Sequence, residues 1–297
     1  GMSQPPAEKF VWPPRKASPV DAAAHATLQK SRHAGRVPVV ERPRGMWNAF
    51  ESVFLDITAG PLIDRAAQAG WSADEIGDYC PRCGQSTLET EIGAKGCLRC
   101  SGINFAWERF VRLGEYRGEL ARWVREVKFT RWRRLGLDLG RLLGAQLAEA
   151  WRLSGGSERR PPVIVPVPDS PLRRVWRGID HAAVIAGGAA AATGWPVVHP
   201  LVRRVGRSQL SVPPSERAAN ATKAFGLHKG IRLNELSGRV VVMMDDVVTT
   251  GATMRACCKL LTTACRRMDL AERPEVWAAC LARTAVMPEA GKRRGTP

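Results

Sequence analysis

Residues 240–254 read VVVMMDDVVTTGATM: an apolar run, two adjacent aspartates, and a stretch of small residues rich in threonine. The run 240–244 predicts a buried strand, and residues 251–268 predict a helix. Asp245 and Asp246 would repel each other at the end of such a strand, so we expect them to reach solvent or a binding partner. A sugar diol or a hydrated Mg²⁺ would supply such partners.

The residues after the aspartates form a candidate phosphate cradle. Free backbone N–H groups and the dipole at the predicted helix start favour an anion, and the glycine lets the backbone approach it closely. The cradle residues are Val248, Thr249, Thr250, Gly251, Ala252 and Thr253. Carboxylates next to such a cradle suit a ribose 5-phosphate. The simpler alternative is that Asp246 or a threonine only caps the helix. The absence of a GxxxxGK[ST] sequence argues against a nucleotide P-loop.

Strands and helices alternate over the rest of the chain. Two amphipathic helices are predicted within residues 117–151, a short strand at 163–168, a helix at 180–193, and strands at 196–202 and 276–281. This alternation predicts an α/β fold with a mostly parallel sheet covered by helices on both faces. Ligands bind beyond the carboxyl ends of the strands in such sheets, where both the aspartates and the loop after residue 166 are expected.

Two CxxC knuckles predict a metal site. Cys80-Pro-Arg-Cys83 and Cys97-Leu-Arg-Cys100 are separated by 13 residues, a spacing typical of a tetrahedral zinc site. Four thiolates around one Zn²⁺ would leave a net charge of about −2, which nearby Arg82, Lys95 and Arg99 are expected to offset. The alternatives are two disulfides, a redox pair or, least favoured, a catalytic zinc. The closed four-sulfur set favours a structural role.

The second group of cysteines lacks such spacing. Its members are Cys257, Cys258, Cys265 and Cys280. They fall on the predicted last helix and strand, where free cysteine is usually a small buried apolar residue.

The chain is strongly basic. Its 297 residues carry a formal net charge of +17, and residues 170–232 hold ten Lys/Arg against two acidic residues. Such a charge favours an anionic partner: nucleic acid, a phosphorylated small molecule or an acidic membrane surface.

The N-terminal part of the chain differs from the rest. Residues 1–45 predict a mostly disordered basic tail, residues 46–75 a short helical segment, 76–110 the four-cysteine module and 111–290 the α/β domain. We expect a cytoplasmic protein, since no secretory signal is visible. The uncharged stretch 181–202 is too weakly apolar to predict a transmembrane segment.

Taken together, these motifs resemble the ComF-like (competence protein F) family of the type I phosphoribosyltransferase superfamily. The apolar strand, Asp-Asp and Thr-Thr-Gly-Ala-Thr resemble the superfamily's motif for phosphoribosyl pyrophosphate (PRPP). YRGELARWVREVKF (116–129), VIVPVPDSPLRRVWRGIDHA (163–182) and RVGRSQLSVPPSERAANATKAF (204–225) resemble further family motifs. Arg177 and Gly178 match the family's Arg-Gly, whereas Ile179, Asp180 and His181 depart from the Phe-Asn-Gln that commonly follows.

The resemblance implies a type I phosphoribosyltransferase-like fold with an N-terminal four-cysteine zinc module, structural zinc, and Mg²⁺ bound with PRPP. Asp245 and Asp246 would bind the ribose hydroxyls, and residues 248–253 the 5-phosphate. Val167, Pro168, Asp169 and Arg177 would lie against the pyrophosphate. Arg207, Gln209 and Arg217 would belong to a mobile loop over the site.

Three functional hypotheses remain open at this point. The first is a phosphoribosyltransferase that releases pyrophosphate from PRPP and is linked to DNA uptake or competence, although no residue stands out as a general base. The second is a non-catalytic PRPP sensor. The third is a module that binds single-stranded DNA or the DNA-uptake machinery, motivated by the net charge, the knuckles and Trp123, Trp132 and Trp176 among arginines.

Overall fold

The computed structural model describes residues 60–93, 96–129, 132–169, 180–204 and 224–285. The helices in these ranges are α1 (Leu62–Gln68), α2 (Gly118–Phe129), α3 (Arg133–Leu153), α4 (His181–Thr193) and α5 (Ala252–Arg267). The strands are β1 (Ile92–Gly93), β2 (Gly96–Cys97), β3 (Arg109–Glu115), β4 (Val163–Pro166), β5 (Leu201–Arg203), β6 (Phe225–Leu227), β7 (Val240–Val248) and β8 (Glu275–Arg283). Short 3-10 turns lie at Glu89–Glu91, Gly156–Glu158 and Leu233–Leu236.

A four-stranded sheet of order β3-β8-β7-β4, parallel throughout, forms the centre of the fold. Strand β7 lies between β8 and β4, and its residues alternate between two cores. Val242 and Met244 belong to the core on one face, and Val241 and Met243 to the core on the other. The apolar run is continuous because both faces of a parallel sheet are covered.

Helices cover both faces of this sheet. The amphipathic helices α2 and α3 contribute their apolar stripes to the first core, together with α4, and α5 contributes its stripe to the second. The α/β fold with a mostly parallel sheet flanked by helices, expected from the sequence, is therefore confirmed.

Glycines bring α3 and α4 into close contact. A Cβ on Gly140 would overlap the Ile185 carbonyl oxygen and lie 3.1 Å from Gly188 Cα. A Cβ on Gly144 would lie 2.9 Å from Ala189 Cα. The contact fixes α4, whose N-cap Asp180 accepts a hydrogen bond from the Ala183 backbone N–H.

Three strand predictions were wrong in extent. The predicted strand 163–168 ends at Pro166. Strand β7 continues beyond residue 244 to Val248, because its backbone stays paired with β8 as far as Arg283. The predicted strand 196–202 contacts β4 only through a bridge at Val197 and then leaves the sheet. Pro196 and Pro200 bound this segment, and proline has no N–H with which to extend a ladder.

The four-cysteine module consists of short turns around the β1–β2 hairpin. It is attached to β3, where the Phe110 backbone N–H donates to the Pro81 carbonyl over 2.6 Å. Gly84 lies against the Phe110 ring, closer than any side chain would allow. The module therefore rests on the main sheet, which is consistent with a segment too small to form its own core.

The predictions for the other cysteines, the N-terminal segments and a membrane span can be compared with the described residues. The four remaining cysteines are buried in the second core, as predicted. Helix α1 falls in the predicted helical segment 46–75, whereas the predicted tail 1–45 lies outside the described residues. None of the helices in the described ranges combines the length and apolar composition that crossing a bilayer requires.

Candidate functional site

A cleft opens at the carboxyl end of the sheet, and residues from six segments line it. The lining residues are Lys128, Val167, Pro168, Asp169, His181, Ala182, Arg203, Asp245, Asp246 and Thr253. The fold places the cleft here because β4 ends at Pro166, opposite Met244, while β7 continues for four more residues. This step in the sheet leaves room above β4 and exposes one side of the β7 extension.

The two aspartates lie within β7 rather than after it. The Asp245 carboxylate accepts a hydrogen bond from the Asp246 backbone N–H over 2.9 Å, and the Asp246 carboxylate accepts one from the Val247 N–H over 2.6 Å. Lys128 Nζ lies 3.2 Å from the Asp246 carboxylate. These donors explain how the strand accommodates two adjacent carboxylates.

Burial and the neighbouring Asp246 charge raise the pKa of Asp245 to about 8, with Lys128 acting in the opposite direction. A carboxyl with such a pKa exchanges its proton near neutral pH. It can therefore donate a hydrogen bond to a ligand in one state and accept one in the other.

The candidate phosphate loop runs from the end of β7 into the first turn of α5. Thr249 and Thr250 are exposed, whereas Val248 and Gly251 are buried. Gly251 has a φ of 76°, in the left-handed region, and it is the residue that precedes the helix. Gly251 has no side chain with which to cap the helix, and Asp246 does not serve as the cap. The Thr250 hydroxyl accepts a hydrogen bond from the Ala252 backbone N–H over 3.4 Å, so a threonine does contact the helix start.

Val167, Pro168 and Asp169 follow β4 and line the same cleft as the aspartates. The Val167 backbone N–H donates to the Met244 carbonyl over 2.8 Å, which fixes this loop beside β7. Of the phosphate-loop residues, Thr253 lines the cleft directly. The tertiary structure thus brings together two segments that the sequence predicted separately.

The four knuckle cysteines form one buried cluster. Their sulfurs all lie within 4.8 Å of one another. The Cys80–Cys100, Cys83–Cys97 and Cys97–Cys100 sulfur pairs are 3.6, 3.7 and 3.7 Å apart. The corners of a tetrahedron with Zn–S bonds of about 2.3 Å are about 3.8 Å apart, so this set can hold a metal such as zinc.

The chemistry of the cluster agrees with its geometry. All four sulfurs are free thiols, far beyond disulfide bonding distance, so the disulfide alternative is wrong. A hydrogen bond from Cys83 lowers the pKa of the Cys80 thiol, whereas the same bond raises the pKa of Cys83 and burial raises the pKa of Cys100. The Cys97 backbone N–H also donates to the Cys80 sulfur over 3.3 Å.

Several curated proteins resemble this chain. DNA utilization protein YhgH from Salmonella typhimurium is 30% identical over 203 residues, which are 68% of this chain and 83% of that protein. Competence protein F from Haemophilus influenzae is 29% identical over 201 residues, covering 67% of this chain and 82% of its own length. This chain belongs to the competence protein F family.

This competence protein F family member was also compared with protein-family models and with solved structures. No family model matches the chain. Glutamine PRPP amidotransferase from B. subtilis, solved with ADP and GMP, matches over 52% of this chain and 30% of its own, with 20% identity and a TM-score of 0.31. The structure itself confirms the expected α/β class, with a parallel four-stranded sheet flanked by helices and an N-terminal four-cysteine cluster.

Some of the predicted site residues lie outside the described part of the chain. These are Arg177 of the pyrophosphate loop and Arg207, Gln209 and Arg217 of the mobile loop. Their roles remain predictions.

Sequence reasoning missed four residues that line the cleft. Lys128 lies in the last turn of α2, His181 and Ala182 begin α4, and Arg203 ends β5. Lys128 falls in the 116–129 motif that carries the family resemblance, and this motif could have indicated it as a site residue. His181 occupies a position that departs from the family pattern, so no motif pointed to it.

Two expectations about charges and aromatic residues need correction. Trp123 and Trp132 are buried in the first core, so neither is available for stacking on bases. Arg82 was expected to offset the negative charge of the cysteine cluster, but its guanidinium group also forms an ion pair with Glu108. The buried Arg283, which was not predicted, instead donates to the Cys83 carbonyl.

Proposed function

We propose that this protein binds PRPP with Mg²⁺ in the cleft and transfers its phosphoribosyl group to an acceptor, releasing pyrophosphate. One observation carries the proposal: the aspartate pair, Thr253 of the 248–253 loop and the loop 167–169 line one cleft at the carboxyl end of the sheet. A pentose with a phosphate at one end and a pyrophosphate at the other fits these groups in order. Family membership supports the same assignment.

Each segment would bind one part of PRPP. Asp245 and Asp246 would accept hydrogen bonds from the ribose hydroxyls. The backbone N–H groups of residues 248–253 and the threonine hydroxyls would hold the 5-phosphate. Residues 167–169 and Lys128 would lie nearest the pyrophosphate, and Arg203 adds positive charge to the cleft.

The reaction would break the bond between the anomeric carbon and pyrophosphate through a transition state with oxocarbenium character. The carboxylates would favour the positive charge that develops on the sugar, and cationic side chains the negative charge on the leaving group. Mg²⁺, whose oxygen-ligand preference the cleft carboxylates meet, would further neutralise the pyrophosphate when bound. Closure over the site would exclude water.

The four-cysteine cluster would hold a structural zinc ion. Four sulfurs complete the coordination of Zn²⁺ and leave no position for a substrate. The cluster would maintain the fold of the module and its attachment to β3.

Calorimetric titration with PRPP and Mg²⁺ tests binding. We expect the Asp245→Ala/Asp246→Ala double variant to lose affinity, because the ribose hydroxyls lose their acceptors. Glu235→Ala, which removes an exposed carboxylate outside the cleft, should bind like the wild type. Wild-type protein that binds no PRPP would overturn the proposal.

Transfer needs a second experiment. Pyrophosphate release from PRPP, measured across nucleobases and related acceptors, should identify an acceptor that accelerates release. Binding without release in any such mixture would leave a PRPP sensor as the function.

The names of the relatives support a link to DNA. We propose that the protein acts in DNA utilization or competence, in contact with single-stranded DNA or with DNA-uptake machinery. The burial of Trp123 and Trp132 removes base stacking on these two side chains as a mechanism, so contact with DNA would depend on the basic charge of the chain. DNA titration at low and moderate salt tests this, and an absence of binding at low salt would exclude direct contact.

A further inference from the structure

The first cysteine knuckle and the candidate phosphate loop are joined by two buried side chains. One is Arg283, the last residue of β8, which is 5% exposed. Its Nε donates to the Cys83 carbonyl over 3.1 Å, and its Nη1 donates to the Val248 carbonyl over 2.9 Å. A single guanidinium group thus connects a candidate metal ligand with the residue at which the phosphate loop begins.

Trp107 forms the second connection. Its indole N–H donates to the Arg82 carbonyl, inside the knuckle, over 2.8 Å. The far edge of its ring lies against the phosphate loop, because a Cβ placed on Gly251 would be 3.3 Å from Trp107 Cη2. The side chain is 2% exposed. It therefore spans the space between the knuckle and the left-handed turn of the loop.

Neighbouring contacts hold the same two segments together. The Thr284 backbone N–H donates to the Val248 carbonyl over 3.1 Å. The Thr284 carbonyl accepts a hydrogen bond over 2.9 Å from Nε2 of Gln85, which lies two residues after Cys83. The Val248 carbonyl therefore accepts two donors, and both belong to residues that also contact the cysteine module.

Metal binding would determine where the knuckle carbonyls lie. A CxxC turn is held by its metal, and small modules of this kind lose their order when the metal leaves. The carbonyls of Arg82 and Cys83 belong to this turn, so their positions would change with metal occupancy. Buried donors that lose their acceptors must shift or remain unsatisfied, and here those donors also contact the phosphate loop.

We propose that metal occupancy of the four-cysteine cluster and ligand occupancy of the 248–253 loop are energetically coupled, with Trp107 and Arg283 as the positioning residues that carry the coupling. The inference rests on the proposed function of the loop. Coupling of this kind is reciprocal: zinc would strengthen binding of a sugar phosphate, and the sugar phosphate would strengthen binding of zinc by the same factor. The expected factor is about tenfold, within the usual range for coupled sites.

The test measures zinc affinity on the zinc-loaded full chain, by competition with a chromophoric chelator. The competition is run without ligand, with saturating ribose 5-phosphate, and with ribose alone. We expect about a tenfold gain in zinc affinity with ribose 5-phosphate and none with ribose, which lacks the group that the loop binds. Equal zinc affinities in the three conditions, in protein that calorimetry shows to bind ribose 5-phosphate, would overturn the coupling.

A matched pair of variants tests the residues. Trp107→Phe removes the donor to the Arg82 carbonyl and also the far ring edge that contacts Gly251, so we expect the tenfold gain to fall to about twofold or less. Trp195→Phe makes the same change in the first core, on the other face of the sheet, and should keep the full gain. A full gain in Trp107→Phe and in Arg283→Met would remove both residues from the coupling.

The outcomes separate the inference from the proposed function. Wild-type protein that binds neither PRPP nor ribose 5-phosphate would overturn both. Wild-type protein that binds them with unchanged zinc affinity would overturn the coupling alone. The wild-type measurement needs no variant, so the coupling stays testable even where a substitution unfolds the module.

Discussion

Replacing Gly140 with alanine tests the helix contact that fixes the start of α4 beside the cleft. The new methyl group would overlap the Ile185 carbonyl oxygen and lie 3.0 Å from its carbonyl carbon. Both atoms belong to helix backbone, which cannot rotate away as a side chain does. The helices must therefore move apart, and the packing around the contact is lost.

Two effects of opposite sign determine the magnitude. Alanine in a helix interior is favoured over glycine by about 0.8–1.0 kcal/mol. Overpacking of a rigid contact costs about 1–3 kcal/mol and sometimes more, and here a backbone oxygen is overlapped outright. We expect a net loss of about 2 kcal/mol in the free energy of unfolding, which is about 4–8 °C in melting temperature for a domain of this size.

Gly187→Ala is the matched control, because it makes the same change on the facing helix. Its Cβ would meet only the Leu137 side chain, at an ordinary 3.8 Å. We expect this variant to be as stable as the wild type or up to about 1 kcal/mol more stable. Thermal and denaturant unfolding followed by circular dichroism measure both. If Gly140→Ala were as stable as Gly187→Ala, the close approach of α3 and α4 would be refuted.

Three further predictions concern the cleft. Asp245→Asn should raise the melting temperature more at pH 8 than at pH 4. The pKa of Asp245 is raised from 3.8 to about 8 in the folded protein, so the wild-type fold loses stability as pH rises through that window, and asparagine has no charge to bury. Lys128→Met should weaken PRPP binding in calorimetry by about tenfold, since it removes the cation beside Asp246. Gly251→Ala should weaken PRPP binding about 5- to 30-fold, because a left-handed backbone costs a residue with a Cβ about 1–2 kcal/mol.

Controls and contrary outcomes differ among the three. For the aspartate, a stability difference that does not change between pH 4 and pH 8 would contradict the raised pKa. Lys259→Met, an exposed change on α5, should leave affinity intact, and an equal loss there would remove the special role of Lys128. Gly230→Ala carries the same backbone strain, with a φ of 79° and open space around it. It should lower stability without lowering PRPP affinity.

The sequence located helices α2 to α5 and three of the four strands of the main sheet because their signals are local, whereas strand β3 was not predicted. Periodic apolar residues marked α2 and α3, and the continuous apolar run marked β7. The strand's true end at Val248 was missed, because it depends on pairing with β8 rather than on hydrophobicity. The segment 196–202 was assigned to one strand for the same reason, since apolar composition does not show which partner a strand finds.

The same distinction between local and long-range signals applies to the residues of the candidate site. Asp245, Asp246 and the following loop are contiguous in the chain, so a single motif was enough to identify them. Lys128 approaches Asp246 from a helix 118 residues earlier in the sequence, and no local pattern announces that contact. Arg283 reaches Cys83 across 200 residues.

By itself, the sequence determined the α/β class, the two cysteine pairs and the aspartate-threonine segment. Each of these depends only on residue types and on the spacing of residues that are close together in the chain. Only the tertiary structure decided that the strand passes through the aspartates, that Lys128 neutralises one of them, and that the cysteine module lies against the phosphate loop. Those contacts depend on which distant segments the sheet order brings side by side. The physical reason is that packing and backbone pairing are long-range, whereas motif spacing is not.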